Sequence, residues 1–189
     1  MSLSMYQASV PPFLQMLGSL TAILDKGEAF AAARKIEPSV LLNTRLTPDM
    51  FPLVRQVQLT ADFAKGGAGR IAGVELPKFP DTETSFAELK ARIAKTIDFL
   101  KDLRPAQIDG SEGREITIPI GGQPHKFTGQ NYLVGFALPN FYFHHTTAYA
   151  ILRQCGVGIG KRDYLGQFEQ ALGLSAILLP PLPLRERLG

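Results

Sequence analysis

The sequence contains a single cysteine, Cys155, in 189 residues. One thiol excludes an internal disulfide framework and is compatible with a reducing compartment. The stretch from Met1 to Phe13 also lacks the basic start and the apolar run that are typical of a secretory signal. From these two absences we expect a cytoplasmic protein.

Long hydrophobic runs are absent as well. A nearly uncharged apolar run, from Tyr132 to Phe143, is interrupted by Gly135, Pro139 and Asn140. It is well short of the ~20 residues that a membrane-spanning helix requires. No membrane partner is therefore predicted.

Strong positive charge is the third feature that the chain lacks. The formal net charge is only +3, and the Lys and Arg residues are scattered along the sequence. A dedicated nucleic-acid binder usually concentrates them in a stripe or cluster, so no nucleic-acid partner is expected.

The chain does show helical periodicity. Apolar residues recur at spacings of three and four between Val10 and Leu24, which predicts a long first helix starting near residue 9. Pro11-Pro12 fits its first turn, where a missing backbone N–H is tolerated, although an earlier start kinked at the prolines is the alternative. Gly27 is predicted to end this helix, and a short separate helix over residues 28–36 would follow.

A second long helix is predicted from about Met50 to Ala72, with a narrow seam of small residues that allows close packing. The third starts at a capping box, in which Ser85 and Glu88 satisfy reciprocal backbone donors. Glu88 and Arg92 are spaced as an i,i+4 ion pair, which we expect on the outer face of this helix.

The fourth long helix is predicted from Thr128 or Gly129 to Gln154, with a bend at Pro139. Before it, residues 115–118 alternate polar and apolar, and a glycine-rich turn leads to residues 125–127, which predicts a β-hairpin. The predicted fold class is therefore all-α, a four-helix bundle with a small β-hairpin before the last long helix.

One domain is predicted over residues 1–166. Residues 167–189 are rich in proline and leucine and are interpreted as a C-terminal extension of that domain. Its leucines need a surface, either on this bundle or on a partner.

Candidate chemistry centres on the last helix. Asn140 and His144 are four residues apart, so both project from one face. Two interpretations remain open: His144 is a buried histidine bonded to polar groups of another helix, or it contacts a metal or ligand. The hydroxyl of Tyr149 is a candidate for lining a cavity near His144.

Several stretches resemble a known family: MYQASVPPFLQML, PDMFPLVRQVQLTADFAKG, PNFYFH and TTAYAILR. With the His-His pair and the Cys-Gly-Val that follows Leu152-Arg153, they resemble the DinB/YfiT-like superfamily. The closer likeness is to an uncharacterised branch, a domain-of-unknown-function family, over about residues 3 to 166. The resemblance implies a four-helix bundle, often a homodimer, and many members are expected to be metalloenzymes.

In that superfamily three histidines typically hold a divalent metal, one from the second helix and an i,i+4 pair from the last. Counting back from Leu152-Arg153 places His144 on the second member of that pair, whereas Asn140 stands at the first. Gln58 or Gln56 stands in the region of the second-helix histidine. The resemblance therefore implies an incomplete site, with His144 as the remaining ligand for nickel, zinc, iron or manganese.

The leading functional hypothesis is a protein that binds a small molecule in a polar pocket between the second and fourth helices. The pocket residues would be Gln58, Asn140, His144 and Tyr149, and one form of this hypothesis is a degenerate metal-dependent transferase. The alternative is a non-catalytic, metal-free binding or interaction protein. A homodimer is the expected assembly.

Overall fold

The structure is a computed structural model that describes residues 3–167. The predicted C-terminal extension, residues 167–189, lies outside the described residues except for Gln167.

The first long helix, α1 (Val10–Arg34), is continuous. The prediction that Gly27 ends it was wrong. Gly27 is buried, and a Cβ at this position would lie 3.1 Å from the Leu152 side chain and 3.4 Å from the Phe86 ring. Gly27 thus serves close packing between helices, and α1 instead ends at Lys35, whose φ of 54° is left-handed.

The next elements are a short helix, α2 (Pro38–Leu42), and the second long helix, α3 (Leu53–Ala72). The predicted seam of small residues in α3 is buried. At Gly67, a Cβ would lie 3.0 Å from the Phe13 ring and 3.2 Å from Ala137, so the missing side chain lets α1 and the last helix approach. Gly73 ends α3 in the left-handed conformation, with φ 71°.

The third long helix, α4 (Phe86–Lys101), begins at the predicted capping box of Ser85 and Glu88. A single turn, α5 (Pro105–Ile108), leads to an antiparallel hairpin of β1 (Glu115–Ile120) and β2 (Gln123–Thr128). Gly121 and Gly122 form its turn, and both have positive φ. Ile116 and Ile118 are buried, so the hairpin packs on the bundle through β1.

The last long helix runs from Gly129 to Gln154 in three parts: α6 (Gly129–Tyr132), a π turn (Leu133–Ala137) and α7 (Leu138–Gln154). Pro139 lies in the first turn of α7, directly after the π turn. A π turn has i→i+5 hydrogen bonds in place of i→i+4, so the N–H that proline lacks falls where the regular α pattern is already broken. A short final helix, α8 (Lys161–Leu165), closes the described chain.

The long helices surround one core. α3 packs against α7 and α4, and α1 packs against α4, α7 and α8. Phe13 of α1 meets Phe141 of α7 edge to face, with ring centroids 4.8 Å apart. The predicted four-helix bundle with a hairpin before the last helix is therefore confirmed. Among residues 3–167 no helix combines the length and the apolar character needed to cross a membrane.

Candidate functional site

The two adjacent histidines of α7 face different neighbours. Successive helical residues point about 100° apart, so one side chain reaches α3 and the other reaches α1. His144 contacts Gln56 of α3, whereas His145 contacts Met16 and Ser19 of α1. Both rings are largely buried, at 8% and 0% exposure.

Gln56 fixes the proton on the His144 ring. The amide nitrogen of Gln56 donates to the Phe51 carbonyl at 3.0 Å, which turns its Oε1 toward the ring, and Oε1 lies 2.7 Å from His144 Nδ1. An amide oxygen only accepts, so Nδ1 carries the hydrogen. Nε2 therefore holds a lone pair. It makes no hydrogen bond within residues 3–167 and is not one of their buried unpaired polar atoms, so it keeps some exposure to solvent.

Aromatic rings hold the His144 imidazole in place. Phe63 stacks on it with centroids 5.4 Å apart and planes 14° apart, and Phe143 meets it edge to face at 5.2 Å. Burial, and then the positive charge of Arg55, lower the pKa of His144 from 6.5 to about 4. The ring is thus neutral at pH 7, and its Nε2 can accept a hydrogen bond.

Gln58 is not part of this arrangement. Its Oε1 accepts from Arg55 at 3.1 Å, and its amide nitrogen donates to Glu83 at 2.8 Å. The glutamine that meets His144 is Gln56, the other residue that the pattern allowed. Gln56 lies three residues after Leu53 of the buried seam and next to Val57, on the side of α3 that faces α7. This spacing was the sequence signal that could have distinguished Gln56 from Gln58.

Asn140 shares a helix face with His144, as predicted, but its hydrogen bond is local. Its amide nitrogen donates to the carbonyl of Phe136 one turn earlier, at 2.7 Å. Tyr149 lies on the other side of α7, where its ring meets Tyr164 edge to face at 5.7 Å. The structure does not bring Gln58, Asn140, His144 and Tyr149 into one hydrogen-bonded cluster.

His145 has a different role. Its Nε2 lies 3.0 Å from the Met16 carbonyl and 3.1 Å from the Ser19 hydroxyl. A carbonyl cannot donate, so Nε2 carries the proton and is not a base for Ser19. Burial lowers the pKa of His145 from 6.5 to about 4, and Nδ1 is buried without a partner. This is a structural contact between α7 and α1.

The donor set around His144 does not fit the metal site that the family resemblance implies. A catalytic divalent metal usually has three protein ligands from His, Cys, Asp or Glu. Within the described part of the chain no group of three or more such side chains lies close enough together to hold a metal. The immediate neighbours of His144 are an amide and two phenyl rings, which do not complete a set of metal ligands.

Sequence reasoning missed a network of ion pairs around the buried Arg92 of α4. Arg92 was expected on the outer face of α4 with Glu88, and this was wrong: it is 3% exposed and binds Asp62, Asp81 and Glu83 at 2.9 to 3.0 Å. Glu88 is used by the capping box. Because Asp81 and Glu83 belong to the loop before α4, Arg92 fastens that loop to the bundle. Helical spacing alone could not reveal this contact.

Three cavities of about 490, 240 and 450 Å³ lie away from His144. The first runs along α1. The other two flank residues 78–83. None of the three is lined by Gln58, Asn140, His144 or Tyr149. The exposed aromatic side chain in contact with the His144 ring is Phe143 of α7.

The family model described as "Domain of unknown function (DUF1993)" matches residues 5–165, and the chain belongs to this family.

A solved structure of a DinB family member protein from Shewanella denitrificans is similar to the chain. It is 44% identical, with a TM-score of 0.78, over 85% of this chain and 91% of that one. The chain is thus a DinB-like protein of a family whose function is not known. No curated protein matches it.

Proposed function

We propose that this protein is a metal-free binding protein, and that its ligand is a small planar molecule with an O–H or N–H donor. The observation that supports the proposal is the fixed tautomer of His144. Its Nδ1 is held by Gln56, and its Nε2 lone pair is unpaired among the described residues and partly accessible to solvent. Such a nitrogen accepts a hydrogen bond over the whole physiological pH range, because the pKa is about 4.

The surroundings of Nε2 define the chemical class of the ligand. Phe143 is 54% exposed and lies against the His144 ring, and Phe51, whose carbonyl orients Gln56, is also 54% exposed. Aromatic faces favour planar partners through stacking. A donor on the ligand then supplies direction, since a neutral imidazole nitrogen accepts only along its lone pair.

Phenol and indole are suitable probes, because each combines one aromatic ring system with one donor. We expect weak, saturable binding that shifts the Cε1–H resonance of His144 in NMR spectra of full-length protein. Toluene lacks the donor and should bind more weakly. A His144→Phe variant keeps an aromatic ring and should lose the preference for phenol over toluene.

His125→Phe is the matched control, since His125 is exposed on the hairpin. It should bind both probes like the wild-type protein. The proposal fails if phenol and indole do not perturb His144, or if His144→Phe keeps the preference for phenol.

The second candidate function is self-association as a homodimer through the same aromatic edge. Phe51 and Phe143 favour it, because large exposed aromatic side chains are enriched at protein interfaces. Sedimentation of wild type and Phe143→Ser separates the candidates. A wild-type dimer that becomes monomeric in the variant supports the interface, whereas a wild-type monomer leaves the edge open for a small molecule.

We also propose a cytoplasmic location, on the basis of Cys155 as the single thiol. Fractionation of cells that express the full chain tests this, and recovery in the periplasmic or secreted fraction would contradict it.

A further inference from the structure

A cavity of about 490 Å³ runs along the outside of α1. Its α1 wall is formed by Pro11, Leu14, Gln15, Gly18, Ser19 and Ala22, and Gly166 and Gln167 line it at the end of the described chain. Gly18 and Ala22 are exposed. A Cβ at Gly18 would have no atom within 4 Å, so the structure leaves room here for another segment of chain. We call this cavity the α1 groove.

The chain is held firmly at the edge of the α1 groove. Gln15 of α1 donates to the Leu165 carbonyl at 2.8 Å, and Lys26 pairs with Asp163 in the first turn of α8. Gly166 then turns with a φ of 64°, and a Cβ there would lie 2.9 Å from that of Ser19. Gln167 therefore lies in the groove, and the remainder of the chain is attached at this point.

Residues 168–189 have an unusual composition. The stretch from Leu174 to Leu184 contains no charged residue and has the sequence LSAILLPPLPL, whereas the residues directly after it are Arg185, Glu186 and Arg187. An apolar segment of this kind gains free energy by leaving water. Its three prolines favour the extended polyproline conformation, which reduces the conformational entropy lost on docking.

The lengths match. From Pro11 to Ala22 the groove spans ~16 Å at 1.5 Å per helical residue. A polyproline segment covers that distance with about five residues at 3.1 Å each. Six residues separate Gln167 from Leu174, and they reach at most ~20 Å when extended. The apolar segment can therefore reach every part of the groove in its own subunit.

We propose that residues Leu174–Leu184 of the same chain dock in the α1 groove. Attachment at Gln167 favours the chain's own segment over that of another copy, because a short tether produces an effective concentration in about the millimolar range. The docked segment covers the groove side of Ser19. The hydroxyl of Ser19 also contacts His145 of α7.

Hydrogen exchange of the full-length protein tests the proposal. The amides of Ser175 to Leu179 should exchange about tenfold more slowly in the wild type than in Gly18→Glu, which places a charged side chain in the groove. Gly18→Ala is the matched control, since its methyl group leaves most of the groove open. It should keep the wild-type protection.

Three exchange results would overturn the proposal, and the first two concern the level of protection. One is fast exchange of these amides in all three proteins, and the other is equal protection in the wild type and Gly18→Glu. Protection that increases with protein concentration also overturns it, because the segment would then dock on another copy.

A crosslink provides a second test that does not depend on a charged substitution. In a Cys155→Ser background, we expect Gly18→Cys and Leu178→Cys to form an intramolecular disulfide with oxidised glutathione. The control pairs Leu178→Cys with Ala94→Cys on the exposed face of α4, and it should crosslink much more slowly. Equal rates for the two pairs would exclude docking in the α1 groove.

Discussion

His144 and His145 are neighbours in sequence, yet they occupy two different kinds of environment. Burial lowers both pKa values to about 4. The proton is on Nδ1 in His144, which leaves Nε2 at the surface, whereas in His145 it is on Nε2, which leaves a buried and unpaired Nδ1. The pKa alone therefore does not distinguish a binding residue from a structural one. The position of the free nitrogen does.

Acid should produce the largest effect on this pair. Both histidines have a folded-state pKa near 4 against an ordinary 6.5, so the unfolded chain binds more protons between these pH values. The free energy of unfolding should fall as pH drops from 6.5 to 4, by about 3 kcal/mol for each histidine. The pH dependence of urea unfolding midpoints measures this.

Carboxylates titrate in part of the same range, so variants isolate the histidine contribution. Replacing either histidine with Gln should remove about half of the pair's contribution to the slope of the unfolding free energy against pH. An unchanged slope in both variants would show that the two rings do not have depressed pKa values.

Replacing each histidine with alanine should show that the two environments differ in their contribution to stability. His145→Ala removes a completely buried ring and its contact with Met16, and we expect a loss of about 2–4 kcal/mol in the free energy of unfolding. His144→Ala removes a ring with one edge at the surface, and about 1 kcal/mol is expected. Urea denaturation at pH 7.5, where both rings are neutral, gives the comparison. Equal losses would mean that the environments are energetically alike.

Gln56→Glu should affect only His144. A carboxylate in place of the amide oxygen favours the charged imidazolium, so the pKa of His144 should rise by about one to three units while His145 keeps its value. NMR titration of the Cε1–H resonances follows both rings in one sample. A matching shift of His145 would contradict the separation of the two environments.

Metal content should show the smallest effect. Because the neighbours of His144 do not supply further ligands, elemental analysis of protein purified without added metal or chelator should find far less than one equivalent. His144→Ala should give the same result. A near-stoichiometric metal that disappears in His144→Ala would refute the metal-free proposal.

Local rules predicted much of the fold. The capping box at Ser85, the glycine turn of the hairpin and the end of α3 at Gly73 each depend on a few adjacent residues. The same rules failed at Gly27, where the glycine serves contact with Leu152 rather than helix termination. A glycine that ends a helix and one that admits a neighbour look alike in a single sequence.

The candidate site, too, could be predicted from the sequence only in part. Helical spacing correctly placed His144 and Asn140 on one face, but the choice between Gln56 and Gln58 required the rotation of α3 against α7. Arg92 reaches Asp62 of α3 and two carboxylates of the irregular loop before α4, which are 9 to 30 residues away in sequence. Contacts of this kind depend on three-dimensional packing and leave no spacing signal.

The sequence by itself determined the class of fold, because helix periodicity, caps and turns are properties of neighbouring residues. It also determined that the histidines would point in different directions, since adjacent helical positions differ by about 100°. Only the tertiary structure decided which nitrogen of each ring is free. That depends on which acceptor, the Gln56 amide oxygen or the Met16 carbonyl, the facing helix presents.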